Sequence, residues 1–309
     1  MIISVPKILK AGDVVTFLNE VEIIFTMKNK MQPNVVLDLS KIKQTSVLGV
    51  LLIYKLIDFT YMHFCFKKPE LATNKYVEEI WYRYGFTSLI QTYISNKDIT
   101  EKAYKNLSIK IEDRFIIAPQ PLLRKDNYSN IVLKEKFLPN IENYYRNNNK
   151  VISMIFLCLS EVLLNFWEHA VEDTKSILVA EGNKSQIEIA CADTGNGIIS
   201  TLGQSESYKS THKTDIISSS VKKGVTSKKM TNHMGYGLWI LDKITTLTKG
   251  RLHLYSEGAY YKNDFGVITK GVCGFWQGTI IYLSLPLLNP QTLCDIEKNS
   301  NCELKINWK

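Results

Sequence analysis

Three groups of residues in this chain of 309 have the types and spacing to do chemistry. Glu161, Asn165 and Glu168 stand at i, i+4 and i+7, so a helix through them gathers all three on one polar stripe. Asn is a poor helix former, and its place in mid-helix calls for a reason. Its amide oxygen suits a hard cation, and Glu161 one turn earlier can orient or deprotonate a water. A solvated stripe explains the same residues taken alone. Downstream, Asp193-Thr194-Gly195-Asn196-Gly197 ends the apolar run IEIACAD. An Asp at the end of a buried strand can accept a hydrogen bond from an adenine amino group, and the two glycines let backbone approach a planar ligand. An ordinary turn has the same letters. Gly235-Tyr236-Gly237-Leu238 then opens a predicted helix, whose free N–H groups favour phosphate. Lys222, Lys223, Lys228 and Lys229 precede it in a polar segment able to fold over phosphates.

The elements that must hold these residues read as follows. Lys150–Val171 has a broad apolar face and predicts a long helix carrying the Glu-Asn-Glu stripe. Ile177–Glu181 and Gln186–Asp193 read as strands joined at Gly182-Asn183-Lys184. Further strands are expected at Arg251–Ser256 and Thr279–Pro286, and a helix from Gly237 through Ile244. Upstream, NVVLDLS (Asn34–Ser40) reads as a strand. Ser46–Phe59 reads as an amphipathic helix with Ser46 as N-cap, and Asn74–Tyr84 as another helix. Residues 101–149 hold Pro119, Pro121 and Pro139 and a polar run, and read as a connecting segment with pairing strands such as Leu107–Ile111. The domain reading is 1–100, connector 101–149, 150–290 and a tail 291–309. The fold classes are α/β for the first part and, for the second, an α+β sandwich: a mixed sheet with helices on one face.

Bulk composition bounds the rest. Hydrophobic residues are 45%, enough for two cores. Lys and Arg total 38 against 30 acidic residues, but the lysines are scattered, which speaks for a solvated surface with a phosphate site before nucleic acid. The six cysteines show no C-x-x-C spacing and read as buried, reduced thiols. Met1–Ala11 lacks the pattern of a signal peptide. Val47–Phe66 is interrupted by Lys55 and Asp58 and reads as a buried helix, not a membrane span.

Taken together, SEVLLNFWEHA (Ser160–Ala170), DTGNGI (Asp193–Ile198) and MGYGLWI (Met234–Ile240) resemble, in order and spacing, the N, G1 and G2 boxes of the GHKL ATPase and kinase superfamily. GTIIYLSLP (Gly278–Pro286) resembles its closing strand. The resemblance implies a Bergerat-fold domain binding ATP and Mg²⁺. Asn165 would hold Mg²⁺, Glu161 would be the general base, and Asp193 would read adenine with help from Thr279. Glu168, Gly195, Gly197, Ile198, Gly235, Tyr236, Gly237 and Leu238 would complete the pocket. Ile199–Met234 would be the ATP lid, with Lys228 reaching the phosphates.

Glu161-x-x-x-Asn165-x-x-x-His169 is most similar to the anti-sigma-factor serine kinases. His63 lacks the acidic partner of a histidine-kinase phosphoacceptor, so autophosphorylation on His is not expected. Only Leu287–Lys309 follows the resemblance, so a phosphate-sensing Lys is expected from the lid or a partner. VVLDLSKIKQTSVLGVLL (Val35–Leu52) resembles the core of STAS domains, whose loop carries a phosphorylatable Ser. Here that loop is shorter and Val47 replaces a Gly, so Ser46 reads as a helix cap. The implied whole is a bacterial, cytoplasmic regulator with a STAS-like domain packing near the lid of an ATP-driven switch. ATP or ADP and a protein partner would bind it, self-association stays open, and neither nucleic acid nor membrane is expected. A nucleotide-stabilised binding module without turnover, or a phage-defence ATPase on nucleic acid, are the alternatives.

Overall fold

A computed structural model describes residues 1–27, 34–64, 68–94, 115–121, 132–146, 148–169, 176–227 and 235–300. The fold is mixed α/β, with parallel pairing in the N-terminal part and antiparallel pairing in the rest.

In the N-terminal part, β1 (Ile2–Ser4), β3 (Val36–Asp38) and β5 (Glu70–Ala72) form a parallel sheet in the order β1-β3-β5. A short parallel pair joins β2 (Ile8–Leu9) to β4 (Gln44–Thr45). Helix α1 (Val14–Met27) buries Val14, Phe17, Leu18, Val21, Ile24 and Phe25, a stripe at helical spacing that seats it on the core. Helix α2 (Val47–His63) starts at Ser46, whose hydroxyl accepts from the Gly49 N–H at 3.5 Å. Asn74 caps α3 (Lys75–Arg83) in the same way, and α4 (Thr87–Ile94) follows.

Helix α2 is not amphipathic as its sequence reads. Every residue from Val47 to Thr60 is buried, because α2 lies between the N-terminal core and the sheet strands β7 (Ile177–Gly182) and β8 (Gln186–Ala192). Lys55 and Asp58 are therefore not a solvated edge. They face each other inside, Nζ to Oδ2 at 3.1 Å, with side chains 0% and 4% exposed.

The large sheet has the order β11-β10-β9-β12-β8-β7-β6, with β6 (Phe115–Pro121), β9 (Arg251–Ser256), β10 (Ala259–Asp264), β11 (Val267–Val272) and β12 (Thr279–Pro286). The expected mixed sheet is corrected: all six pairings are antiparallel, because β12 inserts between β8 and β9 and opposes both. The described helices of residues 150–290 pack on one face, as expected, and the N-terminal part covers the other. Ile177, Val179, Ala190, Ala192, Tyr255, Ile280 and Tyr282 point into the core built with α1 and α2. Their strand neighbours Leu178, Ala180, Ile189, Cys191, Leu254, Ile281 and Leu283 point into a second core. That second core is closed by α5 (Leu138–Tyr144), α6 (Asn149–His169) and α9 (Gly237–Thr248). Period-two alternation between two apolar layers makes these strands read as unbroken apolar runs.

Part of the segment read as a connector belongs to this layer: β6 pairs with β7, and a π-helical turn at Val132–Phe137 leads into α5. Leu107–Ile111 lies outside the described residues. Between β8 and α9 stand α7 (Ile198–Gly203) and α8 (Lys213–Ser219); α10 (Leu293–Ser300) ends the described chain. One described helix, α6, is long and apolar enough over 149–166 to cross a membrane, with mean hydropathy 1.5, yet 56% of that window is buried. Its apolar side is the floor of the second core. Cys158 and Cys191 are buried and in no disulfide, and burial pushes the Cys158 thiol well up; Cys294, by contrast, is exposed.

Asp58→Ala leaves the Lys55 ammonium buried without that carboxylate. It is expected to cost about 3–5 kcal/mol in chemical denaturation, while Lys55→Met combined with Asp58→Leu recovers most of the loss. A single-variant loss below about 1 kcal/mol would show that other groups carry the charge.

Candidate functional site

Asp193 stands one residue beyond β8 and is 2% exposed. Both carboxylate oxygens are held: Oδ1 accepts the Gly195 N–H at 2.8 Å and Oδ2 the Thr279 N–H at 3.2 Å. The Asp193 N–H donates to the Thr279 carbonyl at 3.0 Å, so the contact to Thr279 runs through backbone. Two glycines permit this close fit. Gly278 has φ +89, and a Cβ there would fall on the Asp193 carboxylate and carbonyl. Gly197 caps α7 and has no room for a Cβ beside Ser256 and Glu257. The Ser256 hydroxyl accepts from the Ile198 N–H at 2.9 Å and donates to the Gly278 carbonyl at 2.9 Å. Ser200 donates to the Glu257 carboxylate through its N–H, at 2.7 Å, and through its hydroxyl.

The second cluster sits on α6 and the start of α9. Asn165 Nδ2 donates to the Glu161 carbonyl at 2.7 Å. A carbonyl accepts only from the amide nitrogen, so this bond turns Asn165 Oδ1 away from it. A Cβ on Gly237 would lie 2.7 Å from Glu161 Oε2 and 3.2 Å from Asn165 Nδ2. Residues 72 to 76 positions apart in sequence therefore touch. The N-cap residue of α9, Tyr236, makes no side-chain capping bond to the first turn. Gly235 has φ +70, and a Cβ there would meet the Val225 carbonyl at 2.7 Å, so only glycine fits before the helix. The Lys223 ammonium lies 5.4 Å from the ring centres of both Tyr236 and Trp239, which brings one cation of the preceding segment over the helix start. Leu238 and Ile199 pack against the second core.

Of the residues singled out by sequence, Asp193, Gly195 and Thr279 form one cluster and Glu161, Asn165 and Gly237 another. Lys228 lies outside the described residues, as does the side chain of Glu168. The segment expected to be the ATP lid is, up to Ser227, less polar than its sequence reads. Leu202, Ile216, Ile217 and Val221 are buried, α8 packs on β10, and Asp215 pairs with Lys270 of β11 at 2.5 Å. The N-terminal part does not pack at that segment either. It covers the opposite face of the sheet, and Tyr84 ties it there by donating to Glu181 at 2.6 Å. Burial beside that carboxylate pushes the Tyr84 phenol well up.

Ser46 lines a cavity of ≈ 540 Å³ between the N-terminal part and the β7–β8 turn, with Lys10, Gly182, Asn183 and Arg251. That is the far end of β8 from Asp193, about 20 Å away for a seven-residue strand. A second cavity, ≈ 630 Å³, lies by Glu142 and Arg146. Neither is lined by Asp193, Glu161 or Asn165. Sequence reasoning missed Ser256, Glu257, Trp276 and Gln277, all in contact with the Asp193 loop. The paired glycines of Gly274-Phe275-Trp276-Gln277-Gly278, just before the last strand, were the available signal.

In comparison with known proteins, no family model matches the chain and no curated protein matches it.

The two glycine contacts differ in hardness. Gly278→Ala meets backbone at positive φ and is expected to cost about 1–3 kcal/mol. Gly237→Ala meets the end of a flexible Glu and is expected to stay within about 1 kcal/mol of the parent, since Ala is the better helix former. Equal losses in urea denaturation would show that α9 does not rest on Glu161 in this way.

Proposed function

We propose that this protein is an ATP-binding regulator whose residues 150–290 act as a GHKL-type, Bergerat-fold nucleotide domain with a STAS-like N-terminal part docked on its sheet. The observation that carries the reading is the contact of Gly237 with Glu161 and Asn165. A G-x-G helix start closes on a Glu-x-x-x-Asn pair from another helix, while an Asp-x-Gly loop stands rigidly held at the end of β8. In this reading Asp193 accepts the adenine amino group, and the rigid hydrogen bonds around it discriminate the base. The uncapped start of α9 meets the phosphates. Asn165 Oδ1 is oriented to hold Mg²⁺, which when bound neutralises phosphate charge. Glu161 positions or deprotonates the attacking water. The setting is a cytoplasmic one, with ATP and ADP as ligands and a protein partner as the output.

The position of Ser46 weighs against phosphotransfer to it within one chain, because Ser46 caps α2 on one face of the large sheet while α9, whose start is assigned the phosphates, packs on the other. ATP-dependent switching by hydrolysis, and not self-phosphorylation, is therefore the reading of choice.

Calorimetric titration with Mg·ATP tests it. Asp193→Asn is expected to weaken binding by about 1–3 kcal/mol, roughly 5- to 150-fold. Glu161→Ala is expected to keep binding and lose turnover, and Asn165→Ala to lose the Mg²⁺ dependence of binding. An Asp193→Asn protein of unchanged affinity would reject the adenine assignment. Parental turnover in Glu161→Ala would leave a nucleotide-stabilised module as the better description.

A further inference from the structure

The loop between β11 and β12 is held from both sides. On one side α1 captures it. Asn19 Oδ1 accepts the Gly274 N–H at 2.6 Å, and Glu22 Oε2, three residues on, accepts the Phe275 N–H at 3.1 Å. Gly274 lies so close to the Leu18 carbonyl that a Cβ would not fit. Phe25, one helical turn further, packs its ring 5.0 Å from Trp276 and 4.5 Å from Phe59 of α2. On the other side the same loop grips the Asp193 turn. The Trp276 indole N–H donates to the Asp193 carbonyl at 2.9 Å, and Gln277 Nε2 to the Thr194 carbonyl at 2.7 Å. Gly278 then closes on the Asp193 carboxylate. The Trp276 carbonyl accepts the Glu257 N–H at 3.0 Å, and Glu257 holds Ser200 at the start of α7.

Trp276 is fully buried, and a buried indole N–H needs an acceptor. Here the acceptor is the backbone of the residue assigned to read the base. Asp193 sits at the end of the β8–β12 ladder, where its backbone bond to Thr279 is the last and the turn beyond it has no strand pairing. Besides Thr279, Trp276 holds Asp193 and Gln277 holds the next residue, Thr194, and both belong to the loop pinned to α1. Helix α1 has 14 residues and so spans about 21 Å. Its approach, Lys10 to Asp13, lines the ≈ 540 Å³ cavity that also holds Ser46. One rigid rod thus joins that cavity to the Asp193 turn.

We infer that Trp276 is a positioning residue for base recognition, and that α1 sets nucleotide affinity by holding Trp276 against Asp193. The inference rests on the ATP-binding reading for its functional consequence and on the hydrogen bonds alone for its structural one. A displacement of α1 moves Gly274 and Phe275 directly, and Trp276 carries that movement to the Asp193 carbonyl. Such a contact couples two sites only if it differs between their states, which is what the variants measure.

Trp276→Phe keeps a ring against Phe25 and removes the N–H. Two readouts apply. The first is hydrogen exchange of residues 193–198 without nucleotide, where the variant is expected to exchange about tenfold faster, as for one lost hydrogen bond. The second is ATP against GTP affinity by calorimetry. There ATP binding is expected to weaken about tenfold while GTP binding changes little, so that discrimination falls. A purely structural Trp would weaken both alike. Asn19→Ala with Glu22→Ala, both exposed positions on α1, is expected to shift both readouts in the same direction, and decides the matter if Trp276→Phe does not fold. Unchanged exchange at 193–198 in both variants would overturn the inference. So would faster exchange with unchanged base discrimination in a parent that binds ATP. A parent that binds no ATP would reject the ATP reading and with it the functional half of the inference, and the exchange comparison would still decide whether α1 and Trp276 hold the Asp193 turn.

Discussion

The constraint on which the rest of the structure depends is that the large sheet is buried on both faces. An antiparallel sheet commonly leaves one face to water and shows it by alternating polar residues. Here β7, β8, β9 and β12 have no face to give to solvent, and their residues alternate between two apolar cores. Each core then needs its own cover. On one side α6 and α9 supply it, and α6 is so apolar for that reason that it passes for a membrane helix by composition. On the other side α2 supplies it, pressed between the sheet and its own small parallel sheet. A helix with neighbours all round has no polar face, so its two charged side chains must answer each other within the core.

The same double burial explains where polar groups collect. Inside the layers hydrogen bonds are made by the strand ladders, and buried polar atoms are costly. At the strand ends the ladders stop and backbone groups need other partners. The Asp193 end solves this with side chains, using a carboxylate, two hydroxyl-bearing residues, an amide and an indole. That is also the arrangement a rigid binding site requires, since groups already holding one another cannot reorganise when a ligand arrives. At the other end, around Ser46 and the β7–β8 turn, the charged residues Lys10, Glu181 and Arg251 line an open cavity in place of a closed network.

Much of this was legible in the sequence, and the failures have physical causes. The strands Arg251–Ser256 and Thr279–Pro286 were read at their observed bounds, because apolar runs bordered by Gly and Pro leave little choice. The cap at Ser46 was equally plain, since a short polar side chain before apolar periodicity has few other uses. The hairpin of β10 and β11 escaped notice. Its edge strand β11 is exposed along nearly its whole length and carries no burial pattern to read. Helix α8 escaped because two buried apolar residues, Ile216 and Ile217, far below the content of a core helix, suffice to anchor a short one. For α2 the sequence reading of a buried helix holds, but the expected amphipathic character does not: Lys55 and Asp58 are buried and pair with each other. Of the site, Glu161, Asn165, Asp193 and the glycines could be named from spacing. Trp276 could not, because an aromatic in a loop says nothing about which distant carbonyl it will meet.

The sharing of one sheet by two cores has a consequence for synthesis. Residues 1–94 leave the ribosome well before Tyr255, Trp276, Ile280 and Tyr282, which complete their core. The N-terminal part therefore waits, with α2 lacking its second wall, while nearly two hundred further residues are made. At the usual rate of about 5–20 residues per second that wait lasts on the order of 10 to 40 seconds. For that time a largely apolar helix lacks the sheet that buries it, which makes this nascent chain a natural client for holding chaperones and a poor candidate for domain-by-domain folding.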